Sequence, residues 1–180
     1  MLTDEQLYSR LLQGDNTALD ELLVRHKEGL TFFIYGVVHN LEDAEDLMMD
    51  TFAMLLAKRV RFKNESSFKT WLYGIGRNLA NNYLRKHKIE LQDQMDETAV
   101  CNFSDTPDSD ILTAERNRAI YQAMKNLKPE YAEVLYLSFF AGMNVNQIAS
   151  VMKKTVKQIY NLTDRAKKQL KELVDESISS

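Results

Sequence analysis

An all-α fold of two small helical domains joined by an acidic linker is what this sequence predicts, and three observations predict it. Gly and Pro number only 6 and 2 among 180 residues, about 4% against roughly 12% in average usage, too few turn formers for a sandwich or barrel. Apolar residues recur at helical rather than alternating spacing along both ends of the chain. Between those ends, Glu90 to Asp110 has no Lys or Arg, little apolar periodicity and a Thr-Pro-Asp-Ser cluster around Pro107, the pattern of a flexible connection. The expected domains are therefore residues 1–89 and 111–180, with 90–110 as linker. Hydrophobic residues make up 44% and charged residues 27%, enough for a core, and no apolar run approaches the roughly 20 residues of a membrane span. The opening MLTDEQLYSR carries acids where a secretory leader carries a basic then apolar stretch, and Cys101 has no second cysteine to pair with. A reducing, cytoplasmic location is the expectation.

Thr3 and Gln6 form the pattern of a capping box, opening a helix to about Gln13 that Gly14 ends. Asn16 is the expected cap of a second helix, in which Leu19, Leu22, Leu23, Leu30, Phe33, Ile34 and Val37 keep helical spacing to about His39. Asn40 then caps a third, LEDAEDLMMDTFAMLLAKR, with Ala44, Leu47, Met48, Phe52 and Leu55 facing the core. Glu42, Asp43, Glu45, Asp46 and Asp50 crowd its first turns. The helix dipole favours acids there and explains much of the cluster, though not its density. With Met48 and Met49 beside them, the acids also suit a dock for a basic partner helix.

After the basic connection KRVRFKNES, Ser66 or Ser67 caps the fourth helix. At 100° per residue, Phe68, Trp71, Leu72, Ile75 and Leu79 share one face, while Lys69, Tyr73, Arg77 and Asn81 lie opposite as a polar, basic, aromatic strip. Trp71, Asn78 and Arg85 follow one border. Rings and guanidinium planes stack on unpaired bases and cations hold phosphates, so this chemistry suits nucleic acid; Trp71 also fits a core aromatic with one wet edge. The loop carrying Arg59, Arg61, Lys63 and Asn64 is too short and polar to be core, and such loops on rigid helices commonly bind.

Beyond the linker a helix is expected from Asp110 or Thr113 through Ile120, Ala123 and Met124, and Pro129 suits the first turn of the apolar helix PEYAEVLYLSFF. NVNQIASVM, the turn KKT and VKQIYNLTDRAKKQLKELV then read as a helix-turn-helix. Val156, Ile159, Ala166, Leu170 and Leu173 define the buried side of the last helix, leaving Lys157, Asn161, Asp164, Arg165 and Lys168 outward. Asn161 and Gln158 suit adenine edges, and Lys157 and Arg165 suit guanine or phosphate. Lys153 stands in the turn where Gly is common, so another residue is expected to supply a positive φ.

The formal net charge of −3 hides blocks. Residues 1–50 carry 3 basic and 11 acidic side chains, 51–88 carry 9 and 1, 89–115 carry 0 and 8, and 116–180 carry 11 and 6. Two separated basic blocks favour a polyanion, with the acidic stretch between them either repelling it or lying in another basic channel.

In series, GDNTALDELLVRH, DAEDLMMDTFAML, FKNESSFKTWLYGIGRNLANNYLRK and NQIASVMKKTVKQIYNLTDRAKKQL resemble the extracytoplasmic-function group of bacterial RNA polymerase sigma factors, over essentially the whole chain. The resemblance implies that Asp43, Glu45, Asp46, Met49 and Asp50 meet the coiled coil of the polymerase's largest subunit. It places Lys63, Asn64 and Ser66 in a loop that captures an everted base of the nontemplate strand. Phe68, Lys69, Trp71, Tyr73, Arg77, Asn78, Asn81 and Arg85 fall on the helix that contacts the minus-ten element and holds it open. Lys154, Thr155, Lys157, Gln158, Tyr160, Asn161, Arg165 and Lys168 fall on the element entering the major groove at minus thirty-five. Implied partners are core RNA polymerase, promoter DNA as duplex and melted strand, and an anti-sigma inhibitor, with the linker threading the enzyme's RNA path. Departures are Met48 and Met49 where Gln is frequent, and Tyr160 and Asp164 on the reading face.

Every job so assigned is binding rather than bond-making, so no catalytic residue, cofactor or metal is expected. A dimeric helix-turn-helix repressor is the alternative of another class, though it leaves the Trp71 strip and the linker without a task. A carboxylate-bridged metal enzyme is prompted by His39, Glu42 and Glu45, but such bundles need paired Glu-x-x-His motifs and the chain has only 3 His.

Overall fold

The computed structural model describes residues 1–58, 62, 66–93 and 126–178, and their side chains at 1–57, 62, 66–87 and 126–173. The loop residues Arg59, Arg61, Lys63 and Asn64, the linker beyond Asp93 and the helix expected to reach Met124 lie outside them. The elements are α1 (Asp4–Leu12), α2 (Thr17–Val38), α3 (Leu41–Lys58), α4 (Phe68–Asp93), α5 (Pro129–Leu135) running on as a π-helical turn (Tyr136–Phe140), α6 (Val145–Met152) and α7 (Val156–Ile178). Each described element is helical, as the composition predicts. The fourth helix continues to Asp93, into the stretch read as linker.

Local signals set most helix ends. Thr3 accepts from the Gln6 N–H while the Gln6 side chain accepts from Thr3 N–H, the capping box read from the sequence. Asn40 Oδ1 accepts from Asp43 N–H at the start of α3. The expected cap Asn16 does not act: it is itself helical in backbone, and Asp15 Oδ1 accepts from Thr17 N–H instead. A carboxylate one residue earlier serves better because it also takes the Thr17 hydroxyl and the Arg10 guanidinium. His39 ends α2 in the left-handed region, at φ 57°.

The core is built around α2, which packs against α1, α3 and α4. Leu22, Leu30, Phe33 and Ile34 are fully buried on it, and each such side chain contributes about 1.5–3 kcal/mol of burial. Gly76 sets the α2 to α4 crossing, since a Cβ there would lie 3.0 Å from a Leu30 methyl. The N-terminus is tied down by ions: Arg25 Nη1 donates to Leu2 O and Asp4 Oδ1, and His26 Nε2 lies 2.7 Å from Asp4 Oδ2.

In the C-terminal half, α6 and α7 enclose Ile148, Val151, Met152, Ile159 and Ala166. Capping boxes open both helices, Asn144 with Gln147 and Thr155 with Gln158. Between them Lys153 itself takes φ 53° and ψ 45°, contrary to the expectation that another residue would supply the positive φ. Its side chain is exposed, so the cost is backbone strain of about 1–2 kcal/mol, which the surrounding caps offset. The two halves, read as separate units, share an interface: α4 packs on α6 and α2 on α5.

Candidate functional site

Three helical faces carry the residues singled out by sequence. On α3, Glu42, Glu45, Asp46, Met49 and Asp50 are exposed, while Asp43 is half-buried next to the cap. Ala44, Leu47, Met48, Phe52 and Leu55 hold the opposite face in the core. The result is a fixed acidic surface with apolar Met49 and Leu56, 54% and 41% exposed, within it. The mixture suits a cationic amphipathic helix, to which exposed acids give orientation and apolar atoms give area.

On α7, Lys157, Tyr160, Asn161, Asp164, Arg165 and Lys168 are all exposed, and Tyr160 is 59% so. Ile159 and Ala166 anchor the other side at 1% and 0%, with Leu170 and Leu173 partly buried. Val156, expected on the buried side, is 37% exposed at the first position of the helix. Gln158 and Thr155 are exposed but occupied in their reciprocal cap, which fixes the N-terminus of the helix. Lys154 is paired with Glu130 at 3.0 Å.

On α4 the candidate residues divide. Asn78, Asn81 and Arg85 are exposed, with Arg85 donating to Asn82 Oδ1. Phe68 is fully buried, as its apolar-face position predicts. It joins Tyr8, His26, Phe62 and Trp71 in an aromatic cluster, with ring centroids 5.3–6.3 Å apart. Trp71 is half-buried there, so the reading as a core aromatic with a wet edge describes it in this structure. Ser67 Oγ accepts from Thr70 N–H as the cap, while Ser66 Oγ bonds the Ser67 carbonyl. Glu5 of α1 adds a second acceptor at that helix start, taking the Phe68 N–H at 3.0 Å, and this bond holds its carboxyl below the usual range.

The strip Lys69, Tyr73 and Arg77 is not open to solvent, contrary to the outward placement expected. One side of α4 does face away from the N-terminal core, but the C-terminal half covers it. Lys69 Nζ donates to Ala141 O at 2.7 Å, beyond the π-helical turn, where a cation is favoured by the exposed carbonyls. Tyr73, 2% exposed, packs on Phe33 and hydrogen-bonds the Tyr136 hydroxyl, which itself donates to Gly29 O at 2.8 Å. Arg77 Nε donates to Glu133 Oε2 at 2.5 Å, with their side chains only 12% and 3% exposed. Burial pushes Tyr73 up to about 12, lowers Lys69 from its usual value and raises the Glu133 carboxyl, against which Arg77 pulls.

Sequence reasoning missed these partners. Glu133 had a visible signal, a lone acid amid the apolar run YAEVLYL. Gly29 had none, and Glu5 was indistinguishable from an ordinary first-turn acid. Among the described residues no three metal-ligating side chains converge, and no helix is long and apolar enough to cross a membrane.

Sigma-70 region 2 matches residues 22–89, covering most of α2, all of α3 and most of α4, and sigma-70 region 4 matches residues 117–170, covering α5 to most of α7. The chain belongs to the sigma-70 family and is a sigma factor, which directs RNA polymerase in promoter-specific initiation. Within that family it falls in the extracytoplasmic-function group. It is 28% identical to the RNA polymerase sigma-H factor of Pseudomonas aeruginosa, over 91% of this chain and 90% of that one. It is 27% identical to the ECF RNA polymerase sigma-E factor of Haemophilus influenzae, with 94% of each covered. Its fold is similar to that of the sigma factor RpoE solved with the anti-sigma factor NepR from Bartonella quintana, with a TM-score of 0.68, 24% identity and coverage of 87% and 96%. It is also similar to CnrH solved with the cytosolic domain of CnrY, with a TM-score of 0.68, 22% identity and coverage of 96% and 97%.

Proposed function

We propose that three faces divide the work of this sigma factor, and that all of it is binding. The α3 face, with Asp43, Glu45, Asp46, Met49 and Asp50, docks on core polymerase. The α4 residues Lys69, Trp71, Tyr73, Arg77, Asn78, Asn81 and Arg85, with Lys63, Asn64 and Ser66 ahead of them, hold the opened minus-ten strand. Phe68 supports them from the core. Lys157, Tyr160, Asn161, Arg165 and Lys168 of α7 read the minus-thirty-five duplex, with Lys154, Thr155 and Gln158 fixing its start. Residues 1–89 and 111–180 act as the two binding domains, joined through 90–110, in the cytoplasm.

The supporting observation is that one chain presents, on capped and anchored helices, an exposed acidic face on α3 and an exposed polar-basic face on α7. Melting on this reading is capture. Unstacking costs a few kcal/mol per base, and pocket contacts and stacking worth about 1–3 kcal/mol each offset it. Register is set at α7, where a good bidentate pair discriminates by about 1–3 kcal/mol. One similar solved chain was captured with the anti-sigma factor NepR and another with the cytosolic domain of CnrY, and an anti-sigma inhibitor is a proposed partner here.

Transcription from a genomic library with core polymerase tests the reading. The expected result is a set of start sites sharing two elements, absent without the chain. Asp46→Arg should weaken core binding and abolish those starts together, and unchanged affinity in a pull-down contradicts the dock.

A further inference from the structure

Helix α1 lies outside the residues matched to region 2, which begin at 22, yet one turn of it meets the start of α4 at two points. Glu5 Oε1 accepts from Phe68 N–H at 3.0 Å. Tyr8, 1% exposed, sets its ring 5.4 Å from that of Phe68 and, edge-on, 5.3 Å from that of Trp71. Phe62 joins the same group from the loop, 5.4 Å from Trp71. The Glu5 bond is additional to a local cap, since Ser67 Oγ already takes the Thr70 N–H and Ser67 O the Trp71 N–H. By charge alone, a carboxylate beside a surface that grips phosphates works against binding; what this one contributes is position. Its own place is set from both sides. Asp4, the residue before it, binds α2 through Arg25 at 2.8 Å and His26 at 2.7 Å, and the Thr3 and Gln6 box fixes the turn from which both acids project. Two neighbouring carboxylates thereby tie α2 to the first residue of α4, and Trp71, one turn further along α4, meets the rings of Tyr8 and Phe62. A side chain held in place before its ligand arrives avoids the cost of ordering on binding.

We infer that α1 belongs to the strand-capture apparatus and that Glu5 and Tyr8 are its positioning residues. They touch no nucleic acid; they fix the first turn of α4 so that the wet edge of Trp71 is already in place for an unpaired base. The inference rests on the reading of α4 as the strand-binding helix. It asks of Glu5 an acceptor atom more than a charge, because the group it serves is a backbone N–H.

The test uses the full chain saturating core polymerase on a start site obtained from the genomic-library transcription, with permanganate reactivity of unpaired thymines as the measure of open complex. Glu5→Ala should lower open complexes about fivefold, while Glu5→Gln, which keeps an oxygen at the same reach, should stay within about twofold of the parent. Tyr8→Leu, which removes the ring from Trp71 and Phe68, should also lower them. Core affinity, read by pull-down, should be the same in all three, because the α3 face is unaltered. A variant that merely folds less well lowers core binding and open complexes in proportion, so a parallel loss of both overturns the positioning role. Equal behaviour of the alanine and glutamine variants at Glu5 overturns it too. Trp71→Ala, run beside them, tells which reading has failed: its loss of open complexes leaves strand binding by α4 standing, and its full retention of them removes that reading and the inference with it.

Discussion

Two arginines, Arg77 on α4 and Arg165 on α7, entered from the sequence with the same assignment, contact with promoter DNA. In the fold they part company. Arg165 stands exposed on a helix whose apolar side alone is used, while Arg77 is 12% exposed and bonded to a carboxylate from the other half of the chain. The tyrosines beside them repeat the contrast, with Tyr160 at 59% and Tyr73 at 2% exposure. A helical wheel identifies the side of a helix that its own domain leaves uncovered. It does not say whether a second domain covers it, and that distinction separates a face ready to bind from one already occupied.

Truncating each arginine sharpens the comparison most. Arg77→Ala leaves Glu133 without its cation, and the closed arrangement should lose about 3–5 kcal/mol, or open to relieve it, whereas Arg165→Ala should stay within about 0.5 kcal/mol of the parent. Urea unfolding followed by circular dichroism reads both, and equal effects would erase the contrast. Arg165→Ala should instead weaken duplex binding, by about 1–3 kcal/mol at one base position.

Trp71→Ala comes next. Half-buried among Tyr8, Phe62 and Phe68, it should cost about 2–3 kcal/mol of stability, below a fully buried truncation. It should lower open-complex formation while core binding stays nearly intact. Loss of core binding by the folded variant would contradict the division between α3 and α4.

A smaller effect is expected at the turn before α7. Lys153→Gly removes the left-handed strain but frees the unfolded chain, for a net gain of under about 1 kcal/mol seen as a raised Tm. A fall in Tm would show that the Lys153 side chain contributes more than its backbone costs.

The smallest is a pH dependence of the N-terminal half. Burial holds His26 below its ordinary 6.5, with Asp4 pulling it back up and Lys69 and Arg25 pressing it down. The folded chain therefore binds fewer protons than the unfolded one just below that value, so stability should fall as pH drops from about 7.5 to about 5.5. His26→Gln should flatten that slope, and an unchanged slope would assign it to other groups.

Much of this was legible in the sequence because it is local. Apolar spacing gave α2, α3 and the α6 to α7 unit, the Thr3 and Gln6 pattern gave the first cap, and Ile159 and Ala166 pointed inward as expected. What escaped has a common physical cause, namely partners far apart in the chain. Glu133 reaches Arg77 across 56 positions and Tyr136 reaches Gly29 across 107, and no periodicity encodes such pairs. Asp15 displaced Asn16 as a cap because a neighbouring arginine and hydroxyl rewarded the earlier carboxylate. Lys153 took a conformation that its residue type argues against, because the flanking caps fix the turn.

Nitration of tyrosines in the free, full-length chain, quantified residue by residue by mass spectrometry, reads the covered and open faces in one reaction. Tyr160 should modify readily while Tyr73 stays protected, and Gly29→Ala, whose added Cβ would fall 2.7 Å from the Tyr73 hydroxyl, should bring Tyr73 up toward the rate of Tyr160. Equal labelling of Tyr73 and Tyr160 in the unmodified chain would mean that the α4 face stands open in solution, contradicting the account.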